Sequence, residues 1–186
     1  MNPDTTRKLD RIRMFLEEQQ YSGLVLLRQD NFAWLTGGGS NQVIIPSAEG
    51  AAALVILPEA VYLVAHVVDG QCIMDEELHR LPAEYVPLHW YEASVMDRAL
   101  ELAGARPAAD SFCSENQVQE EVYDLHYPLL DEDIAALNEA GRLCDRVLAQ
   151  VARAITPDTL EIEVKAMLLD AFTRQCAACD VMFVGG

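Results

Sequence analysis

The chain has 186 residues and a mass of 20.6 kDa, enough for one large domain or for one domain and part of another. Hydrophobic residues make up 51% and charged residues 23%, a composition typical of globular proteins rather than disordered ones. With 13 Lys and Arg against 30 Asp and Glu, the formal net charge is −17. The sequence therefore predicts no nucleic-acid partner and no docking on anionic membranes, because both need clustered cations.

The first part of the chain alternates helical and strand patterns. Leu9, Ile12 and Leu16 recur at helical spacing, and Asp4 or Thr5 can cap that helix. Further elements follow in chain order: a strand at 24–27, a helical turn at 30–35, strands at 43–45, 51–57 and 61–66, a helix at 69–80, a strand at 85–88, a helix at 94–103 and a strand at 107–109. This alternation predicts an α/β domain with a mixed β-sheet flanked by helices.

The composition changes after residue 110. Residues 111–125 are polar and acidic, and residues 126–130 read as a linker that contains Pro128. Three carboxylates at 131–133 oppose the positive dipole end of a long helix, whose apolar stripe includes Leu137, Cys144 and Leu148. We therefore expect a domain at 1–125, a linker at 126–130 and a further unit at 131–186.

That further unit reads as two helices and a strand. Asp158 and Glu161 predict a capping box for its second helix, which is expected to end near residue 175, and residues 181–184 read as a strand. So short a unit struggles to cover its own apolar side chains. We expect exposed apolar faces there, with Val147, Val151, Ile155 and Leu168 as candidates.

Two short patterns resemble metal or redox sites, and in both cases a structural role is favoured. Glu76 and His79 have the i, i+3 spacing of a bundle-type metal site, but such a site needs a second copy of the pattern, so a solvated helix face is the better interpretation. Cys176 and Cys179 close a helix instead of opening one, and no second pair completes a zinc site, so they are expected to pack structurally.

Other functional patterns are weaker still. Gly37, Gly38 and Gly39 lack the spacing of a phosphate-binding loop, and a flexible turn is favoured. The four histidines are scattered, and the residues by themselves reveal no complete catalytic site. No apolar run reaches the roughly 20 residues of a membrane-spanning helix, and the N-terminal segment has no signal-peptide pattern. The five cysteines are odd in number and widely spaced, so we expect a cytoplasmic protein.

Three segments together resemble the creatinase and Xaa-Pro peptidase family. Residues 30–39 are similar to the Asn-x-x-x-Leu-Thr-Gly loop of the family's N-terminal domain. Residues 128–134, with Gly141 and Arg142 following, resemble the start of its "pita-bread" catalytic domain. Residues 154–164 are similar to its helix–Pro-Gly-x-Thr-Glu–helix passage, although Asp158 replaces the usual Gly and Leu160 is intercalated.

The resemblance implies a fold and a chemistry. The fold would be a creatinase-type, ribonuclease H-like N-terminal domain followed by an incomplete α+β pita-bread unit. In a complete family member two Asp, one His and two Glu hold two divalent ions (Mn, Co or Zn), which hydrolyse a peptide bond next to proline. No residue of this chain matches those ligands, so no metal ion and no activity are expected for the chain alone.

The resemblance also implies partners. A complete family member takes a peptide substrate and forms a homodimer, in which Trp34, Gly37, Gly38 and Gly39 are candidates for an active-site rim or a subunit contact. The alternative for Trp34 is a place in the core of its own domain. Two other functions stay open, namely a non-catalytic assembly module of the same architecture and a fragment of a creatinase-like C–N hydrolase.

Overall fold

The computed structural model describes residues 2–44, 46–111, 115–178 and 184. The chain divides into two compact units, Met1–Leu129 (unit 1) and Leu130–Gly186 (unit 2). The helices and strands of unit 1 are α1 (Pro3–Gln19), β1 (Gly23–Arg28), α2 (Gln29–Thr36), β2 (Glu49–Ile56), β3 (Val61–His66), α3 (Gly70–Glu77), β4 (Glu84–Leu88), α4 (Val95–Ala103), β5 (Pro107–Ala109) and α5 (Gln119–His126). Unit 2 contains α6 (Asp131–Ala152) and α7 (Glu161–Thr173). None of the helices in these ranges is long and apolar enough to cross a membrane.

Unit 1 is built on a mixed five-stranded sheet with the order β4-β3-β2-β1-β5. Strand β2 is antiparallel to both of its neighbours, while β1 pairs with β5, and β3 with β4, in parallel. Strands β1, β3, β4 and β5 therefore all end on the same side, which we call the carboxyl end of the sheet. The predicted α/β fold with a mixed sheet flanked by helices is confirmed.

Alternating side chains of the strands bury both faces of this sheet. Leu24 and Leu26 of β1 pack on one face with apolar residues of α1, α2 and α3, whereas Val25 and Leu27 pack on the other face with α4. This two-sided burial explains why β1 is a continuous apolar run instead of an alternating one.

The outer strand β4 carries a proline. The N–H of Val67 donates to the carbonyl of Leu88, so the main chain of Leu88 faces β3. Because successive strand residues direct their main-chain groups to opposite sides, the main chain of Pro87 faces away from β3. The imino acid thus occupies a position where the sheet does not need an N–H donor.

Several local predictions for unit 1 are wrong. Residues 43–45 were expected as a strand, but Val43 and Ile44 lie in a bend and are exposed, and residue 45 is outside the described part. The cap of α1 is Asn2, whose side chain accepts from the N–H of Asp4; neither Asp4 nor Thr5 is the cap.

Helix α5 went unrecognised because its segment is acidic and polar. Val118 and Val122 are both buried, and Leu125 packs against the same core cluster. These three residues have helical spacing, which is the pattern that could have revealed the helix. His126, which we expected to open a linker, is the last residue of α5.

Unit 2 contains a helical pair with a small core. Val147, Val151, Leu168 and Ala171 are buried and pack together. The expectation that Val147, Val151 and Leu168 are exposed is therefore wrong, because the two helices cover each other's central residues.

Other apolar side chains of unit 2 are exposed in their place. Ile155 is exposed as expected, and so are Leu137 and Leu148, which the sequence assigned to the apolar stripe. The remaining exposed large hydrophobics of the described part of unit 2 are Ile134, Leu160, Ile162 and Leu169. Exposed apolar surface is thus a property of unit 2, although it lies on different residues from most of those we named.

The second helix of this unit is capped differently from the prediction. The N–H of Leu160 donates to the Glu163 carboxylate at 2.8 Å, while Thr159 Oγ1 accepts from the N–H of Thr156. Asp158 is not the cap. The predicted strand at 181–184 and Cys179 lie outside the described residues, apart from Val184.

Candidate functional site

The carboxyl end of the sheet is the place to look for a site, because open α/β sheets bind ligands outside the carboxyl ends of their strands. In this chain α2 begins directly after β1 there and carries Trp34, and the glycine triplet follows α2. The candidates for a rim or subunit contact, Trp34 and the glycine triplet, are therefore grouped at one place in unit 1.

Trp34 is half-buried and packs against the core of unit 1. Its ring stacks on the imidazole of His126, with 4.2 Å between centroids and 21° between planes. The Lys8 ammonium lies 5.6 Å from the centroid of the Trp34 ring and donates to the Trp34 carbonyl at 2.9 Å. Such packing agrees with the alternative that we kept for Trp34, a place in the core of its own domain.

The glycine triplet forms the end of α2. Gly37 and Gly38 both have positive φ, 77° and 111°, and both donate their N–H to the carbonyl of Ala33. The N–H of Gly39 donates to Thr36 Oγ1 at 2.9 Å. All three N–H groups are thus used within the chain, which leaves none of them to bind a phosphate.

Gly39 is additionally confined by its neighbours. A Cβ atom at this position would lie 2.5 Å from the carbonyl oxygen of Glu77 at the end of α3. A Cβ at Gly38 would meet open space, although the positive φ there still favours glycine. The triplet therefore fixes the end of α2 against the end of α3.

Asp110, which follows β5, is a fully buried carboxylate at this end of the sheet. Its carboxylate accepts from the N–H groups of Leu27 and Arg28 at 2.9 and 3.1 Å, and from Asn31 Nδ2 at 2.8 Å. Burial raises the pKa of Asp110, and these three hydrogen bonds oppose that rise. The carboxylate thereby ties the start of α2 to β1 and β5.

This arrangement gives a structural reason for the first residue of the Asn-x-x-x-Leu-Thr-Gly pattern. Asn31 is fully buried, and its amide is one of the three donors to Asp110. Asp110 was not among the residues selected from the sequence. The sequence pattern that could have indicated it is an aspartate directly after the short strand β5, together with an asparagine soon after β1.

A second buried amide closes the loop between α2 and β2. Asn41 donates from Nδ2 to the carbonyls of Leu27 and Ala52 at 3.1 and 2.7 Å. A Cβ at Gly50 would lie 2.1 Å from Asn41 Cγ, so the glycine makes room for this amide. The register of β1 against β2 shifts at this point, between Leu26 and Arg28.

An ion pair with a phenol lies at the outer side of the same region. Arg28 donates from Nε and Nη2 to the two carboxylate oxygens of Asp30 at 3.1 and 3.0 Å. The Tyr123 hydroxyl, from α5, donates to Asp30 at 2.7 Å. Burial raises the pKa of Asp30, but the hydrogen bonds from Arg28 and Tyr123 outweigh it and hold that pKa below its ordinary value.

These groups are hydrogen-bonded to one another or to the main chain, and the role that these bonds support is positional. Among residues 2–44, 46–111, 115–178 and 184, no group of three His, Cys, Asp or Glu side chains could hold a metal ion. The part of the chain that is described thus does not fit the two ions implied by the resemblance, and we derive no metal-dependent step from it.

The remaining patterns also lie apart. Helix α3 ends at Glu77, so His79 lies in the turn that follows instead of on the helix that carries Glu76. Cys176 is an exposed free thiol. Cys72 is exposed as well, and the neighbouring Glu76 carboxylate raises the pKa of its thiol, which makes it a poor nucleophile at neutral pH.

Comparison with known proteins finds similarity at the level of structure. The sequence matches no protein-family model and no curated protein sequence. A prolidase from Thermococcus sibiricus matches with a TM-score of 0.73 and 15% identity, over 99% of this chain and 53% of that one. A prolidase from Pyrococcus horikoshii matches with a TM-score of 0.69 and 13% identity, over 91% of this chain and 49% of that one. A Xaa-Pro dipeptidase from Bacillus anthracis matches with a TM-score of 0.61 and 15% identity, over 92% of this chain and 49% of that one.

The chain thus spans about half the length of these solved structures. At such low identity the similarity concerns the fold, which is the one that the sequence resemblance implied. The mixed sheet flanked by helices belongs to the part of the fold that this chain shares with these prolidases.

Proposed function

We propose that this chain is the N-terminal portion of a Xaa-Pro peptidase-like metallohydrolase. The observation that supports the proposal most is the structural match to prolidases, which runs through nearly the whole of this chain but only half of theirs. The three sequence segments that resemble the family occur in the same order over the same length of chain, and they support it independently.

The proposed division of labour follows from this correspondence. Residues 1–125 form the N-terminal domain, residues 126–130 link it to the catalytic part, and residues 131–186 begin that part. The two divalent ions and the hydrolysis of a peptide bond next to proline belong to the rest of a complete protein. The chain by itself is expected to be inactive.

The chain's own residues would then act by positioning. The Asp110 carboxylate holds Asn31 at the start of α2, and the glycine triplet fixes the end of that helix. Together they orient Trp34, which we keep as a candidate for an active-site rim or a subunit contact in a cytoplasmic homodimer. A peptide substrate is the ligand of the complete protein.

The experiment measures Mn, Co and Zn in the dialysed 186-residue chain by plasma mass spectrometry and assays the same sample with a Xaa-Pro dipeptide. We expect no stoichiometric metal and no turnover. The DNA downstream of the Gly186 codon is then read, where two Asp, one His and two Glu are expected in that order.

Two results would contradict the proposal. A stop codon directly after Gly186 would exclude the enzyme, because the ligands could not follow. Two bound metal ions together with hydrolysis would mean that this chain itself carries a complete site.

A non-catalytic assembly module is the second candidate, and the exposed apolar residues of unit 2 favour it. Leu137 and Leu148 on α6, and Ile162 and Leu169 on α7, would then be covered by a partner. Light scattering discriminates between the candidates, since a well-behaved monomer counts against an assembly role. A creatinase-like C–N hydrolase is tested by offering creatine beside the Xaa-Pro dipeptide to the extended polypeptide.

A further inference from the structure

The carboxyl end of the sheet carries most of the exposed apolar surface of unit 1. Three loops contribute two residues each, and these six residues form what we call the loop patch: Val43, Ile44, Val67, Val68, Trp90 and Tyr91. Among the described residues of unit 1, the other large hydrophobic side chains that are exposed are Met14, Tyr127 and Leu129. Single exposed hydrophobics are ordinary, but a concentration of this kind marks an interaction surface.

The loops of the patch are held beside one another. The N–H of Val67 donates to the carbonyl of Leu88, which joins the loop after β3 to the loop after β4. Val43 and Val68 line one cavity of about 340 Å³, which joins the loop after α2 to the loop after β3. The patch is therefore one surface with a recess in it.

Two rigid aromatic residues project from the patch. Trp90 is 77% exposed, and its ring meets that of Tyr91 edge to face, with centroids 5.7 Å apart. The Tyr91 ring stacks on His89 at 5.3 Å. Tryptophan and tyrosine dominate the binding energy of protein interfaces, because they bury a large area at a small cost in conformational entropy.

The recess between the loop after α2 and the loop after β3 has both apolar and acidic residues in its lining. Ile73 lines it and is almost fully buried, and Asp69 and Glu77 line it as well. Ser40 binds one oxygen of Glu77 through its N–H at 2.8 Å, which fixes that carboxylate in place. A ligand that complements this recess carries a positive charge on an apolar stem.

The negative charge of the chain favours one kind of ligand for the loop patch over another. A second copy also carries −17, and apposing this face to itself would bring Asp69 and Glu77 of one copy against those of the other. We infer that the loop patch binds a segment of another protein in which Lys or Arg side chains alternate with apolar ones. The cation enters the recess, and the apolar residues cover Val43, Val68 and Trp90. This inference is independent of the proposed peptidase relationship.

The test uses a capped synthetic pentapeptide, Val-Lys-Leu-Lys-Val, and the complete 186-residue chain. The chain has 2 tryptophans, so its two indole N–H signals in an NMR titration report on the patch through Trp90 and on a half-buried reference through Trp34. We expect the Trp90 signal to shift in a saturable way while the Trp34 signal stays in place. Capped Val-Glu-Leu-Glu-Val and Ser-Lys-Ser-Lys-Ser are expected to bind at least tenfold more weakly.

A matched pair of double variants locates the binding site. Asp69→Asn with Glu77→Gln is expected to raise the Kd at least tenfold. The control, Asp10→Asn with Glu17→Gln, changes the net charge by the same amount. Its two residues line another cavity, which also has an exposed hydrophobic residue, Met14. We expect the control to raise the Kd less than twofold. Val68→Ser, at a site that is 79% exposed, tests the apolar contribution without disturbing the fold and is expected to raise the Kd at least threefold.

The inference is overturned if the lysine peptide fails to bind at 1 mM, if the glutamate or serine peptide binds equally well, or if both double variants weaken binding alike. A concentration-dependent dimer that Val68→Ser abolishes would also overturn it, because the occupant would then be a second copy. Thermal unfolding of each variant confirms that it is folded before binding is measured.

Discussion

Units 1 and 2 differ in how they cover their apolar and polar groups. Unit 1 buries both faces of a sheet under helices and holds the buried Asp110 carboxylate with three hydrogen-bond donors. In the described part of unit 2, Val147, Val151, Leu168 and Ala171 form a small buried cluster between α6 and α7, and the same helices expose leucine and isoleucine side chains. Unit 1 therefore has the features of an independently stable domain, whereas unit 2 leaves large apolar side chains exposed beside a small core.

The largest effect that this comparison predicts is in unit 1. Asp110→Ala removes an acceptor and leaves three buried donors without a partner, so we expect the free energy of unfolding to fall by about 3 kcal/mol or more. Urea unfolding followed by circular dichroism measures it. Asp124→Ala, at an exposed aspartate of α5, is the control and is expected to change stability by less than about 0.5 kcal/mol.

A series of unfolding measurements at different pH tests the same role of Asp110. Because burial raises the pKa of Asp110 in the folded protein, ionisation costs more there than in the unfolded chain. The stabilisation that comes from the protonated form of Asp110 is thus fully present below the ordinary pKa of an aspartate and is lost as the pH rises through the raised pKa of the folded protein. Asp110→Asn should remove that slope. If Asp110→Ala lost no more stability than the control Asp124→Ala, the hydrogen bonds to Asp110 would not be what holds unit 1 together.

A smaller effect is expected in unit 2, from two adjacent residues of one helix. Val147 is 2% exposed and Leu148 is 52% exposed. Val147→Ala should destabilise the α6–α7 pair by about 2 kcal/mol, which corresponds to roughly 30-fold faster amide exchange in α7. Leu148→Ala should change the exchange rates less than about twofold, because an exposed side chain loses little on truncation.

The two variants also probe the contrast between the units. Equal effects of Val147→Ala and Leu148→Ala in the 186-residue chain would mean that Leu148 is covered in solution, and unit 2 would then be as self-contained as unit 1.

The smallest effect is a shift of one titration. Tyr123→Phe removes the hydroxyl that donates to Asp30, so the pKa of Asp30 should rise toward its ordinary value. Asp170 of unit 2, whose pKa is lowered by its hydrogen bonds from Arg174, is the internal control and should titrate unchanged. Carbon-detected NMR of the carboxyl groups measures both. An unchanged pKa of Asp30 would mean that the Tyr123 hydroxyl does not contribute to lowering it.

Periodicity predicted the parts of the fold whose own residues are apolar. Strands β1 and β3 and helices α1 and α4 were found within a few residues, because the strands are mostly buried and the buried residues of each helix recur at helical spacing. The strand at 43–45 was wrong for the opposite reason. Val43 and Ile44 are apolar but exposed, and sequence alone does not distinguish an apolar strand from an apolar loop that forms a surface.

Capping and polar contacts were predicted less well, since they depend on neighbours that are distant in sequence. The Asn31–Asp110 hydrogen bond joins residues 79 positions apart, so no contiguous motif contains both residues, and only their positions after two strands could have indicated it. The choice of Leu160 instead of Asp158 as the cap of α7 depends on whether Glu163 reaches back to its N–H. The candidate site was therefore located through Trp34 and the glycines, while the groups that hold it in place emerged only in three dimensions.

Pro87 in strand β4 has a consequence for the behaviour of the protein at high concentration. An additional strand that tried to pair beyond β4 would meet a position without an N–H, and one ladder hydrogen bond could not form there. Sheet growth by strand addition, the first step toward fibrils, is disfavoured on that side. The apolar loops nearby can consequently remain exposed for a partner without the sheet itself becoming a template for aggregation.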